Sequence, residues 1–219
     1  MLLVAAVLLL PYALAPLYRF VDPVSTLMLW RWATGKPVER TVVPLTSIAP
    51  ALPLAVIASE DARFCRHYGI DWQELQGAIE DAEELSEVRG GSTITQQTVK
   101  NLFLWPGRSF VRKALEFPLA LWVDLVLPKR RVLEIYLTIA EWGPNGEFGI
   151  EAGARRAFRK PARELGPGEA ATLAAVLPNP KRRSAQRPGP GVRRIAVIVQ
   201  RRAASSPTID ACVRQRATP

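Results

Sequence analysis

Two glutamates and a group of cations carry the chemistry this sequence can offer. Glu60 follows an apolar stretch, Leu54 to Ala58, and the next basic residue along the chain is Arg63. A carboxyl group partly buried at such a boundary titrates above its usual range and becomes a usable general base. Glu116 has a different setting. Arg112 precedes it by four residues and Lys113 by three, so the three share one face of a helix. Arg108 lies about one turn earlier, at a helix start whose free N–H groups favour an anion, and Lys100 approaches from the preceding helix. Cations gathered around a carboxylate in this way suit a phosphate group. Each residue also has an ordinary use. Glu60 can be a solvated helix end, Arg112–Glu116 a surface ion pair worth under about 1 kcal/mol, His67 a structural hydrogen-bonder, and Gln96-Gln97 a helix surface.

The elements that must position these groups read as helices, and no stretch sustains an alternation of period two. Asp71-x-x-Glu74 forms a capping-box pattern ahead of Trp72, Leu75, Ile79, Ala82 and Leu85 on one face. The loop Arg89-Gly90-Gly91-Ser92-Thr93 opens a helix towards Leu104, and Pro106-Gly107 breaks it. Ser109 caps a third helix reaching Leu127, with Pro118 as the place for a kink. Pro128 stands at a first helical position, ahead of inward-facing Val132, Ile135, Tyr136 and Ile139. Gly143-Pro144-Asn145-Gly146 marks a loop, helices fit 150–160 and 167–177, and Pro178-Asn179-Pro180 stops the last. The fold class is all-α.

Composition narrows the function. The chain has 219 residues, 48% of them apolar and 22% charged, enough to bury a core. Its formal charge of +9 lies entirely in residues 181–219, which hold ten Lys or Arg and one Asp; the preceding 180 residues balance at 19 of each sign. That region reads as a basic tail with one amphipathic stretch, Val192 to Arg202. The single histidine excludes His-rich metal sites, and the two cysteines, Cys65 and Cys212, exclude a Cys-rich zinc site. Neither G-x-x-x-x-G-K-[ST] nor G-x-G-x-x-G occurs.

Residues 1–18 carry no charge. As a helix they reach roughly 27 Å, close to a bilayer core of about 30 Å. We read 1–20 as an uncleaved membrane anchor, with Tyr18, Trp30 and Trp32 as interfacial aromatics. The competing reading is a signal peptide cut near Ala13-Leu14-Ala15. No Lys or Arg precedes Arg19, which leaves room for chain upstream of Met1.

Five segments in order give a more specific signal. They are Glu60-Asp61-x-x-Phe64-x-x-His67-x-Gly69, Gly91-Ser92-Thr93-Ile94-Thr95-Gln96-Gln97 and Arg112-Lys113-x-x-Glu116, then Arg131-Val132-Leu133-Glu134-Ile135-Tyr136-Leu137 continuing to Glu141-Trp142-Gly143, and Ala174-Ala175-Val176-Leu177-Pro178. Over 54–178 the chain resembles the peptidoglycan glycosyltransferases, glycosyltransferase family 51, and in particular its short monofunctional members. Thr138 stands where the family commonly has Asn, and Arg159 where Gly often follows Phe.

The resemblance implies a lysozyme-like helical domain over 51–180, joined by a juxtamembrane segment over 21–50 to a single N-terminal transmembrane helix. It implies polymerisation of lipid II at the periplasmic face of the bacterial inner membrane, with inversion at the anomeric carbon and release of undecaprenyl pyrophosphate. Glu60 matches the catalytic base and Glu116 the second family glutamate. Lys100 and Arg108 match donor-phosphate contacts, Arg112 and Lys113 the motif's basic pair. Asp61, Phe64, His67, Gly69, Ser92, Thr93, Gln96 and Gln97 match residues that shape the site. No cofactor is required, no metal ligands are expected, and a divalent cation such as Mg2+ or Mn2+ can assist at the pyrophosphate. The implied partners are lipid II, the growing glycan strand, the membrane, and transpeptidases or division and elongation proteins, since the chain has no second catalytic domain. Nucleic acid is not among them.

Pyrophosphate is a good leaving group, so cations that absorb its developing charge replace the general acid a sugar–sugar hydrolase needs. Two alternatives remain. A membrane-anchored lysozyme-like hydrolase or lytic transglycosylase would share Glu60 but has no need of Lys100 and Arg108. A non-enzymatic membrane protein would use the basic tail on anionic lipid or nucleic acid. In an oxidising periplasm Cys65 and Cys212 either pair, tying the tail beside the Glu60 loop, or remain two unrelated thiols.

Overall fold

The computed structural model describes residues 2–81, 90–107, 109–206 and 208–214. Helix α1 spans Leu2–Leu14 and gives way to a 3-10 turn at Ala15–Arg19. The sequence predicts a membrane-spanning helix over 1–20, but α1 has 13 residues, roughly 20 Å at 1.5 Å per residue. Among the described residues no helix is long and apolar enough to cross a membrane. Pro16 supplies the physical reason: it has no N–H to give the carbonyl of Tyr12, so the helical ladder stops there. That carbonyl is taken instead by the indole of Trp122, which donates at 3.0 Å. Arg131 secures the next stretch, donating to the carbonyls of Tyr18 and Val21 at 2.8 Å each and pairing with Asp22. The Tyr18 ring stacks on Phe103 with centroids 5.8 Å apart.

Helix α2 (Thr26–Ala33) begins at Ser25, whose hydroxyl accepts from the Met28 N–H. Its Arg31 is buried, paired with Glu141 at 3.1 Å and donating to the Pro37 carbonyl. Strand β1 (Glu39–Arg40) then runs parallel to β2 (Glu147–Phe148). Two residues are too few for alternation to show in a sequence, and this pair escapes the all-helical reading. Together these contacts fasten 21–50 to the domain.

The rest is α3 (Ala51–Glu60), α4 (Trp72–Glu80), α5 (Ile94–Phe103), α6 (Phe110–Val126), α7 (Lys129–Ile139), α8 (Ile150–Phe158), α9 (Pro167–Val176) and α10 (Pro190–Ser205). In α7, Val132, Leu133, Ile135, Tyr136, Leu137 and Ile139 are all buried, so it runs through the core, with α5 and α6 packed beside it. Helix α9 buries Ala170, Ala171, Ala174 and Ala175, small side chains that let α3 and α10 approach closely.

Local signals hold with small shifts. Asp71 caps α4 by accepting from the Glu74 N–H at 3.1 Å, and Ser109 caps α6. Helix α6 continues through Pro118, and Pro128 lies one position earlier than expected, as the N-cap of α7. Ala82, Leu85 and Arg108 lie outside the described residues. Thr138 is buried with its hydroxyl donating to the Glu134 carbonyl. Arg159 ends α8 at φ 58°, a left-handed position that favours glycine, the residue that the family resemblance leads one to expect there. The stretch read as a basic tail contains α10, which lies on α3 and α9 through Val192, Ala196 and Val199. Cys65 and Cys212 form a disulfide with Cα atoms 5.4 Å apart, which resolves the open pairing.

Candidate active site

Glu60 ends α3, and its carboxylate is held from α5: Gln97 Nε2 donates to Oε2 at 3.0 Å, and the Ser59 hydroxyl to Oε1 at 3.3 Å. Gln97 is itself fixed by Tyr136 of α7, whose hydroxyl donates to Oε1 at 3.1 Å. A buried phenol thus orients an amide, which orients the carboxylate. Burial pushes the Glu60 carboxyl above its ordinary value, against the hydrogen bonds and the charges of Lys100 and Arg183.

The motif around Glu60 is mostly scaffold. Asp61 is buried, accepts from the Ile94 N–H at 2.9 Å, and accepts from His67 Nε2 at 2.9 Å. It therefore ties its own loop to the start of α5, and His67 serves Asp61. Phe64 is fully buried beneath the Lys129 ammonium, 4.6 Å from the ring centre. Gly69 has φ +75°, and a Cβ there would meet the Ala120 carbonyl oxygen at 2.5 Å, so α6 passes where only glycine fits. The Gly69 carbonyl accepts from the Thr93 hydroxyl at 2.6 Å. Thr93 and Gln96 complete a reciprocal capping box on α5. This scaffold sets the direction of α5 and hence of Gln97 and Lys100.

The cations gather as the spacing predicts. Glu116, buried on α6, pairs with Arg112 and accepts from Lys113 Nζ at 3.2 Å. Lys113 Nζ also donates to the Ser92 hydroxyl at 2.9 Å. Burial, then the charges of Arg112 and Lys100, lower the Lys113 ammonium to about 8. Lys100 is lowered by burial and by Arg112, while Glu60 raises it. Burial also lowers Arg112. Two carboxylates, Glu60 and Glu116, among three cations that burial disfavours leave a positive excess that an incoming anion would relieve.

A cleft of about 380 Å³ runs past Glu60, walled by the end of α3, the start of α4, Gly90 to Thr93, Pro178 and Arg202. Glu60, Ser92, Gln97, Lys100, Arg112, Lys113 and Glu116 therefore belong to one region, with Thr93 in the cleft wall, whereas Phe64, His67, Gly69 and Gln96 stand behind it. Sequence reasoning missed Tyr136, Arg183 and Arg202. Tyr136 was legible only as core, and Arg183 was hidden in a basic run, although it follows Pro178 by five residues.

Comparison with known proteins agrees with this architecture. The family model described as transglycosylase matches residues 28–203. A biosynthetic peptidoglycan transglycosylase of Rhodopseudomonas palustris (strain TIE-1) is 62% identical over 202 residues, covering 92% of this chain and 86% of the relative. One from Nitrobacter hamburgensis is 61% identical, covering 93% and 91%, and one from Rhizobium meliloti is 51% identical, covering 96% and 90%. A match of this extent and identity, over a fold that gathers the same motifs around one cleft, places the chain in the transglycosylase family.

Proposed function

We propose that the chain is a peptidoglycan glycosyltransferase of cell-wall synthesis that polymerises lipid II. The observation that carries the reading is Glu60: a half-buried carboxylate with a raised pKa, aimed by Gln97 into a cleft beside a cationic cluster. Glu60 takes the proton from the 4-hydroxyl of the acceptor sugar. That oxygen attacks the anomeric carbon of the donor with inversion, and the bond from that carbon to the pyrophosphate oxygen breaks. The electron pair leaves on undecaprenyl pyrophosphate, whose charge falls to Lys100, Arg112 and Lys113. Glu116, bonded to both Arg112 and Lys113, fixes their spacing. Arg108 is a further donor-phosphate contact by family resemblance. A divalent cation assisting at the pyrophosphate would supply further neutralisation of its charge, beside that of Lys100, Arg112 and Lys113.

We place the domain at the periplasmic face of the inner membrane, held by α1. Support comes from the apolar surface of the N-terminal segment, where Leu9, Phe20, Trp30 and Trp32 are all more than half exposed. Transpeptidases working beside it would cross-link the product strands. The test supplies labelled lipid II to detergent-purified wild type and Glu60→Gln protein and resolves products before and after muramidase. Muramidase-sensitive polymer from wild type alone is the expected result. Fragments released from intact sacculi, without polymer, would favour the hydrolase.

A further inference from the structure

Helix α10 buries Val192, Ala196 and Val199, with Ile195 half-buried. These positions form a stripe of three- and four-residue steps that continues at half-buried Ala203, and Arg202 lies on its flank, on the side of Ile195. From that flank the exposed Arg202 side chain lines the same cleft as Glu60. Its neighbours in charge are already engaged: Arg63 pairs with Asp71 at 3.0 Å, and Arg183 donates to the Ala175 carbonyl at 2.8 Å. Among the described residues the Arg202 guanidinium has no such partner. The end of α10 is also tied down. Cys212 is bonded to Cys65, five residues beyond Glu60, so the loop bearing the base and the segment following Arg202 are covalently joined.

We propose that Arg202 is an anion contact for the acceptor substrate, and that the Cys65–Cys212 bond holds it over the cleft. This rests on the lipid II polymerase reading. In that reading the donor pyrophosphate has Lys100, Arg112 and Lys113, so a separate unpaired cation in the cleft faces the acceptor. Acceptor lipid II carries anions of one shared kind, oxyanions matched to a guanidinium fork, in its stem-peptide carboxylates and its own pyrophosphate.

The test measures initial polymerisation rates against lipid II concentration for full-length wild type, Arg202→Ala, Arg202→Lys and Arg201→Ala. Arg202→Ala raises KM about tenfold with kcat within about twofold of wild type. Arg202→Lys falls between, and Arg201→Ala, off the stripe, matches wild type. Arg202 is exposed, so thermal unfolding of its variants stays unchanged. On lipid II with amidated stem carboxylates, the Arg202→Ala penalty vanishes if the peptide is the contact and persists if the pyrophosphate is. An unchanged KM for Arg202→Ala in the presence of active wild type overturns the assignment alone, whereas no polymer from wild type overturns the polymerase reading and this with it. The double variant Cys65→Ser, Cys212→Ser is assayed below its own unfolding temperature and raises KM in the same direction. A wild-type KM there overturns the role of the bond.

Discussion

Gly69 offers a sharp test of how the catalytic loop is seated. A Cβ added there would lie 2.5 Å from the Ala120 carbonyl oxygen and 2.8 Å from its carbon, on a backbone with φ +75°. Two costs follow for Gly69→Ala: about 1–2 kcal/mol for a left-handed non-glycine residue, and about 1–3 kcal/mol for forcing backbone apart in a packed interior. A less flexible unfolded chain returns about 0.4–1 kcal/mol. The net loss is about 1–4.6 kcal/mol, and for a protein of this size roughly 2–4 °C of Tm accompanies each kcal/mol. Gly35 separates the terms, because it has φ +66° and nothing within 4 Å of a built Cβ. Gly35→Ala meets the dihedral cost alone, about 0–1.6 kcal/mol after the same offset. Thermal unfolding of the two variants by circular dichroism makes the comparison. Equal losses from both would refute the claim that α6 backbone crowds Gly69. Because Thr93 donates to the Gly69 carbonyl, Gly69→Ala also loosens the α5 cap and lowers turnover, while Gly35→Ala does not.

Two further outcomes depend on pH. The Glu60 carboxyl is raised in the folded protein, so folded chain binds the proton more tightly and stability falls as pH rises from the ordinary carboxylate value of 4.5 through the raised one. Glu60→Gln removes that burden: the variant matches wild-type Tm in acid and exceeds it at neutral pH, and a difference that does not grow with pH would sink the burial argument. The Lys113 ammonium titrates at about 8 in the free protein, so kcat/KM falls as pH rises through that value. Lys113→Arg moves the fall to higher pH; an unmoved profile would mean another group is being watched.

The sequence was readable where chemistry and local structure share one cause. The i,i+4 spacing of Arg112 and Glu116 predicts contact, and α6 makes it. Asp71 and Ser109 cap helices because a short polar side chain ahead of an apolar run has few better uses. Long-range partners were not readable. Nothing local says that Asp61 binds the first turn of α5, or that a core tyrosine on α7 aims Gln97. The basic run after Pro180 hid a packed helix because its charges outnumber its three buried positions. The helix expected over 1–20 is shorter in the structure, ending at Leu14, because hydropathy registers apolar length and not the carbonyl that Pro16 leaves free.

That carbonyl governs how the two ends of the molecule move together. Between α1 and the body, the Tyr12, Tyr18 and Val21 carbonyls are each gripped by a side chain of α6 or α7, and Tyr18 is stacked on α5. The join therefore behaves as a bracket rather than a leash, with no free swivel in which a tilt could be absorbed. Leaning α1 leans α6 and α7, and with them Glu116 and the Tyr136–Gln97–Glu60 relay. Whatever surface fixes the angle of α1 thereby fixes the direction in which the cleft opens.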